Sequence, residues 1–521
     1  MTLDPATLQV LIARLDGISS EMGAVLQRAA FSPNIRERAD CSAALFTASG
    51  ELLAQAEHVP VHLGSMPASV AAAIAAFPSL AAREQVILND PFAGGTHIND
   101  VTLVMPCLVD GRVVGWVANR AHHADVGGMA PGSMPPDAVE AVQEGLRIPP
   151  VPLTPEIARV LAANSRSPVE RSGDLDAQAG ANRVGAARLG SVVAAAGAGV
   201  LTEVVDYGHR RMDAALRALP DGSWEFDDVL DAAGGARVVV RVTKRGPEIE
   251  FDFTGTAAQV PGNVNAVLAV TVSAVSWALR SVTDPTIPAN GGALRPVRVV
   301  APPGTVVSAV PPAAVGAGNV EVSQRVADVC LGALAQAVPD RVPAAGQGTM
   351  NNVMVGGGDW VYYETIGGGQ GGRPPRPDGR SREPVPGQSA IHTGMTNTRN
   401  TPIEALERSY PMRVRRLRLR SGSGGAGRWR GGDGIERDLE VLEDVTLSLI
   451  TERRTSAPWG LDGGGSGAPG ENWLLPAGRE AGAERLPDKV TRRLSAGDVL
   501  RLRTPGGGGY GPPAPSPSAP K

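Results

Sequence analysis

The sequence predicts an α+β, multi-lobed chain: a hairpin-rich N-terminal lobe, central helices and a Gly-rich β lobe on the C-terminal side. Three observations predict it. The 521 residues include 65 glycines and 44 prolines, about a fifth of the chain against a typical ~12%, which excludes a helical bundle or coiled coil. Helical and strand periodicities alternate along the first two thirds. After Gly346 short strands are separated by glycine runs. The expected division is 1–345 as an α+β catalytic region, 346–503 as the Gly-rich β lobe and 504–521 as a disordered tail.

The elements follow in order. Asp4-Pro5 caps and starts an amphipathic helix with apolar residues at Leu11, Leu15, Ile18, Met22, Val25 and Ala29. CSAALFT, ELLAQ, VTLVMPCLV and RVVGWVAN, between Cys41 and Asn119, predict two β-hairpins with a helix near Ser69–Ala76 between them. Ala-rich text from Ser165 to Leu216 predicts helices whose polar faces carry Arg171, Asp174, Arg183 and Arg210. A further hairpin is expected near 236–253. Apolar helices follow at about Val264–Leu279 and Val320–Ala335, each led by a Gly-Asn pair. Strands are expected at WVYYETI, VRRLRLR and LEVLEDVTLSLI. The final TPGGGGYGPPAPSPSAPK has little apolar surface to bury.

Composition narrows the function. A net charge of −4 provides no global positive field for nucleic acid or an anionic membrane, so small-molecule or protein partners are expected. Cys41, Cys107 and Cys330 have no C-x-x-C spacing, which suggests neither a disulfide framework nor a thiolate zinc site. The N-terminus lacks the features of an export signal. A cytoplasmic protein is expected.

The chemistry gathers early in the chain. His58, His62, His97, His122 and His123, five of the seven histidines, fall within residues 58–123. Asp110-Gly111 between two apolar runs is a two-residue hairpin signal that would pair residue i with 221 − i. Asp100 would then face Ala121, and Asp100, His123 and Asp125 would share one face. His97 and His122 would point the other way unless Gly94-Gly95-Thr96 turns His97 back. With Ala48-Ser49-Gly50 as a three-residue loop, Asp40 would fall opposite His58. Imidazoles with carboxylates and no thiolates suit a divalent ion of the Zn, Mn or Fe type. Such an ion would lower the pKa of a water or polarise a carbonyl. The metal candidates are therefore Asp40, His97, Asp100, His123 and Asp125, with Asp40 and His122 as candidate acid–base groups. Against this, a histidine at a strand end is commonly a hydrogen-bonding loop residue, and His58 and His62 also suit a loop before Ser65-Met66-Pro67.

Other motifs carry less. GGGQGG at 367–372 and GSGGAG at 422–427 are not followed by G-K-[ST], so they read as loop glycines and not as a phosphate loop. Arg413, Arg415, Arg416, Arg418 and Arg420 fit a half-buried strand with a basic face. No serine has a G-x-S-x-G context, and Cys41 reads as a buried structural thiol.

ERADCSAALF (37–46), HVPVHLGSMP (58–67), NDPFAGGTHINDVTLVMP (89–106), NRAHHADVGGMAPGSMP (119–135), NSRSPVERSGDLDAQ (164–178), TNTRNTPIEALE (396–407) and ERRTSAPWG (452–460) resemble the hydantoinase B/oxoprolinase family. The likeness runs from about Leu8 to Gly511. It implies the B subunit of an ATP-dependent hydrolase of cyclic amides, such as a hydantoin or 5-oxoproline. A hydantoinase A-type ATPase subunit would be its partner in a hetero-oligomer, using ATP to activate the carbonyl. The related alternatives are a subunit of a ketone carboxylase of the acetone or acetophenone type, or a non-catalytic scaffold of such a complex.

Overall fold

The computed structural model describes residues 3–56, 59–231, 234–375 and 385–513. The helix Pro5–Ala29 forms as expected: Asp4 Oδ1 accepts the N–H groups of Ala6 and Thr7, each at 3.1 Å, and Leu8, Leu11, Leu15, Ile18 and Met22 are buried. Both N-terminal hairpins enter one antiparallel six-stranded sheet. Its order is Leu52–Ala56, Cys41–Thr47, Arg112–His122, Asp100–Val109, Val86–Leu88 and Val151–Pro152.

Strand alternation buries both faces. Ala43, Leu45 and Val117 pack against the helices Pro5–Ala29 and Pro168–Ala196, while Ala44, Phe46, Trp116 and Ala118 pack under Met66–Ala76. Arg171 and Asp174 do not lie on a polar helix face. Both are buried and paired at 3.1 Å, and Asp174 also accepts the N–H groups of Phe31 and Ser32.

A second sheet, ordered Val297–Val300, Glu248–Asp252, Arg237–Arg245 and Gly222–Val229, shares a core with the helices Leu268–Val282 and Ser323–Ala337. Two further sheets come from the chain after Gly346. One is ordered Val361–Glu364, Asn352–Gly356, Val445–Ile450 and Lys489–Leu494. The other is ordered Met412–Arg420, Gly434–Val441, Val499–Arg503, Glu471–Leu475 and Glu484–Leu486. The segment LEVLEDVTLSLI is thus two strands, one in each sheet.

The glycine runs are packed backbone, not loose loop. Gly507 N–H donates to Gly432 O at 2.9 Å, Gly508 to Ala345 O at 2.8 Å and Gly509 to Gly465 O at 2.8 Å. A Cβ on Gly507 would strike the carbonyl of Gln370, and one on Gly508 the carbonyl of Trp459. Residues 504–511 are therefore buried, which corrects the expectation that a disordered tail begins at 504. Residues 514–521 lie outside the described residues. Among the described residues no single helix is long and apolar enough to cross a membrane.

Candidate metal centre

The Asp110-Gly111 turn forms, with positive φ at both residues (49° and 74°), the geometry of a two-residue hairpin loop. Next to the turn the expected register holds: Val109 pairs with Arg112 and Leu108 with Val113. A bulge between Cys107 and Leu108 then adds one residue, and from Cys107↔Gly115 to Asp100↔His122 the paired numbers sum to one more. One residue of slip exchanges the faces. Asp100 therefore lies beside His122, not opposite Ala121, and His123 is on the other face.

Three of the candidate residues meet. His97 Nε2 is 3.1 Å and His122 Nδ1 3.5 Å from Asp100 Oδ1, and the two imidazole centroids are 5.0 Å apart. One donor atom from each of the three lies within 4.8 Å of the others. All three side chains are buried, yet both ring nitrogens of His97, Nε2 of His122 and Oδ1 of Asp100 have no hydrogen-bond partner among the described residues. Buried polar atoms left so are costly, and two imidazoles with a carboxylate form a donor set that fits a divalent transition ion.

Local structure explains the convergence. Gly94, at φ 96°, turns the chain after the short helix Pro91–Ala93, and this brings His97 back toward the strand end. Asn89 Nδ2 donates to Ile98 O at 2.7 Å, and Asn99 Nδ2 to His123 O and Gly132 O at 3.0 Å. These bonds fix the 96–99 loop.

Asp40 adjoins the cluster through its backbone. Its carbonyl accepts the His122 N–H at 3.0 Å, and Asn34 Nδ2 lies 3.5 Å from its Oδ2. The expected pairing of Asp40 with His58 falls outside the described residues, and the first hairpin itself carries a bulge between Leu45 and Phe46.

His123 and Asp125 do not join. His123 Nε2 donates to Gln178 Oε1 at 2.9 Å, and burial next to Arg171 pushes its pKa down to about 4. Asp125 is a loop anchor: it accepts from the N–H groups of Gly127, Gly132 and Arg166 and from the Arg166 guanidinium at 2.9 Å.

Three further residues complete the surroundings, each from a distant segment. His62, which the sequence leaves as a plausible loop residue, places Nε2 3.4 Å from Asp100 Oδ2 while Nδ1 is 2.9 Å from Ser42 Oγ. Asn319 donates to Asp100 Oδ2 at 3.2 Å from a π-helical turn, Gly318–Val322, a local distortion common at functional sites. Its signal was the Gly-Asn pair ahead of the helix. Tyr363 stacks on His122 with centroids 4.4 Å apart.

Thr96 Oγ1 also donates to Asp100 Oδ2, at 2.7 Å. Burial opposes ionisation of Asp100, but the charges of His97 and His62 and the close approach of the His122 and His62 rings outweigh it and hold the carboxyl well below its ordinary range. Burial lowers His122, against the pull of Asp100 and Asp40. A cleft of about 600 Å³ runs past Pro60, Trp277, Gln324, His392 and Thr396, and none of His97, Asp100 and His122 lines it.

Fold and site together define a mixed helix-and-sheet protein, with four sheets among the described residues and a buried His/Asp cluster of the kind that could take a metal ion. The pattern of the hydantoinase B/oxoprolinase family matches residues 4–513, and the chain belongs to that family. It is 41% identical to a protein of Methanocaldococcus jannaschii, over 98% of this chain and 91% of that one. It is 32% identical to a putative D-/L-hydantoinase B subunit of Pseudomonas sp., over 98% and 90%. It is 36% identical to 5-oxoprolinase 1 of Arabidopsis thaliana, where 98% of the chain spans only 42% of the relative. Among solved structures, the ATP-dependent caprolactamase of Pseudomonas jessenii superposes with a TM-score of 0.90 at 29% identity, covering 98% of this chain and 92% of that one. A nucleotide-free acetone carboxylase shares the fold, with a TM-score of 0.88 at 19% identity over 98% and 76%.

Proposed function

We propose that this chain is the catalytic B subunit of an ATP-dependent cyclic amide hydrolase of the hydantoin or 5-oxoproline type, acting with a separate A-type ATPase subunit. The observation that carries this reading is the meeting of His97, Asp100 and His122 in the interior, where both His97 ring nitrogens and His122 Nε2 make no hydrogen bond among the described residues. The sequence has no G-x-x-x-x-G-K-[ST] loop of its own, and the 5-oxoprolinase it resembles is more than twice as long, so ATP chemistry is assigned to the partner.

His97, Asp100 and His122, with Asp40 beside them, would hold a Zn, Mn or Fe ion. When bound, such an ion supplies Lewis acidity toward a carbonyl or a water. The protein's own part is to orient and to exclude. Thr96, Asn319 and His62 hold Asp100 through its Oδ2. Burial keeps bulk water from the donor set, and the Asp40 carboxylate would either join the ligands or accept the proton that an attacking water gives up.

The test is to produce the chain with an A-type ATPase subunit and assay ring opening of 5-oxoproline and hydantoin with and without ATP. ATP-dependent opening of either is expected. Carboxylation of a ketone instead, or undiminished ring opening by a complex stripped of bound metal, would overturn the assignment.

A further inference from the structure

We propose that Tyr363 is a positioning residue for the centre: its ring sets the His122 imidazole in the plane needed to meet a metal ion, so the C-terminal lobe completes a site whose donors all lie in the N-terminal sheet region. The inference rests on the metal reading above.

The geometry is specific. The Tyr363 and His122 rings are 4.4 Å apart and only 15° from parallel, an offset or face-on stack that restricts rotation about the imidazole's terminal torsion, which is otherwise broad. His122 has few other constraints. Its Nε2 is unpartnered among the described residues and its Nδ1 is 3.5 Å from Asp100, a weak contact for fixing a ring.

Tyr363 itself is held at three points. Its OH donates to Asn352 Oδ1 at 3.0 Å, and Asn352 Nδ2 in turn donates to Glu321 Oε1 at 2.9 Å and to Ile450 O at 3.1 Å. Its carbonyl accepts from Arg38 Nη1 at 2.6 Å. The Arg38 guanidinium also lies 5.0 Å from the ring centroid. Arg38 is buried and two residues from Asp40, while Glu321 is two residues from Asn319, which holds Asp100. The same few side chains thus tie the ring to the segments that carry the donor set, and any of these ties can be lost without removing a ligand.

The experiment uses the full chain and Co²⁺ alone as the probe, read by competition for the ion and by its visible absorption bands, which report ligand geometry. Tyr363→Phe keeps the stacked ring and loses only the tether to Asn352. Tyr363→Leu loses the planar face, and Tyr363→Met replaces it should the leucine variant fail to fold. Tyr363→Phe is expected to bind Co²⁺ within about threefold of the unchanged chain with the same bands. The non-aromatic variant is expected to bind at least about tenfold more weakly with altered bands, while retaining its far-ultraviolet circular dichroism; an orienting neighbour of a ligand typically changes affinity by about 10–100-fold. Unchanged affinity and bands in the non-aromatic variant, or a phenylalanine variant as weak as it, would overturn the inference. An unchanged chain that binds no Co²⁺ would instead overturn the metal reading.

Discussion

His122 and His123 are neighbours in sequence with opposite fates, and truncating each in turn separates a donor from a structural residue. His123 is fully buried and donates to Gln178 Oε1 at 2.9 Å. His123→Ala leaves that oxygen buried without its donor, at about 1–3 kcal/mol, and leaves a ring-sized void at roughly 2 kcal/mol more. The expected loss of stability is about 3–5 kcal/mol, with bound metal retained by the folded fraction. His122→Ala removes a ring whose Nε2 has no partner among the described residues, so the metal-free fold loses the Tyr363 stack, about 0.5–1.5 kcal/mol, and gains a void of the same size at roughly 2 kcal/mol. Metal content and not stability therefore separates the two variants. The His122→Ala chain should lose its metal. Denaturant unfolding of the metal-free forms and elemental analysis of dialysed protein measure the two quantities. The slipped register would be refuted if His123→Ala lost its metal while His122→Ala kept it.

Asp231 accepts from the backbone N–H groups of Arg454, Thr455 and Ser456 and from two hydroxyls. Burial opposes its ionisation, but these bonds lower its pKa from 3.8 to about 2. A carboxyl with a depressed folded pKa stabilises above its unfolded value, so about 2 kcal/mol should disappear as pH falls from about 4 to about 2, and the acid limb of the unfolding curve should shrink in Asp231→Asn. Gly507→Ala places a methyl group against the Gln370 carbonyl and should cost about 1–3 kcal/mol or more in a thermal or denaturant melt; a neutral substitution would contradict the packed-glycine description. The isolated chain should hydrolyse no ATP and show no rise in melting temperature with ATP, since a ligand bound only by the folded state would raise it. Tight nucleotide binding by the single chain would contradict the division of labour.

The sequence made the Asp110-Gly111 turn readable, and with it the neighbourhood of Asp100 and residues 122–125. It did not reveal the bulge after Cys107, and that single residue decided which histidine faces Asp100. A signal existed: Pro106 cannot donate to the ladder, and proline inside a strand marks an edge or a bulge. Asn319 and Tyr363 were not legible as site residues, and His62 only as a member of the histidine cluster, because they reach the centre from segments tens to hundreds of residues away and only tertiary packing brings them there. The glycine runs failed for the opposite reason. Local propensity reads glycine as loop, whereas here the missing Cβ lets backbones lie against one another.

In the proposed centre the chain carries its own metal through His97, Asp100 and His122, with Asp40 at its side. Its most direct test is the metal content of the purified, dialysed chain beside Asp100→Asn and Asp40→Asn. About one divalent transition ion per unchanged chain is expected, with a marked shortfall in Asp100→Asn, because a neutral amide is a poorer donor than a carboxylate. Normal metal with slowed turnover in Asp40→Asn would place Asp40 as the proton acceptor, and a shortfall would place it among the ligands. An unchanged chain without metal, or an Asp100→Asn variant with a full complement, would contradict the claim.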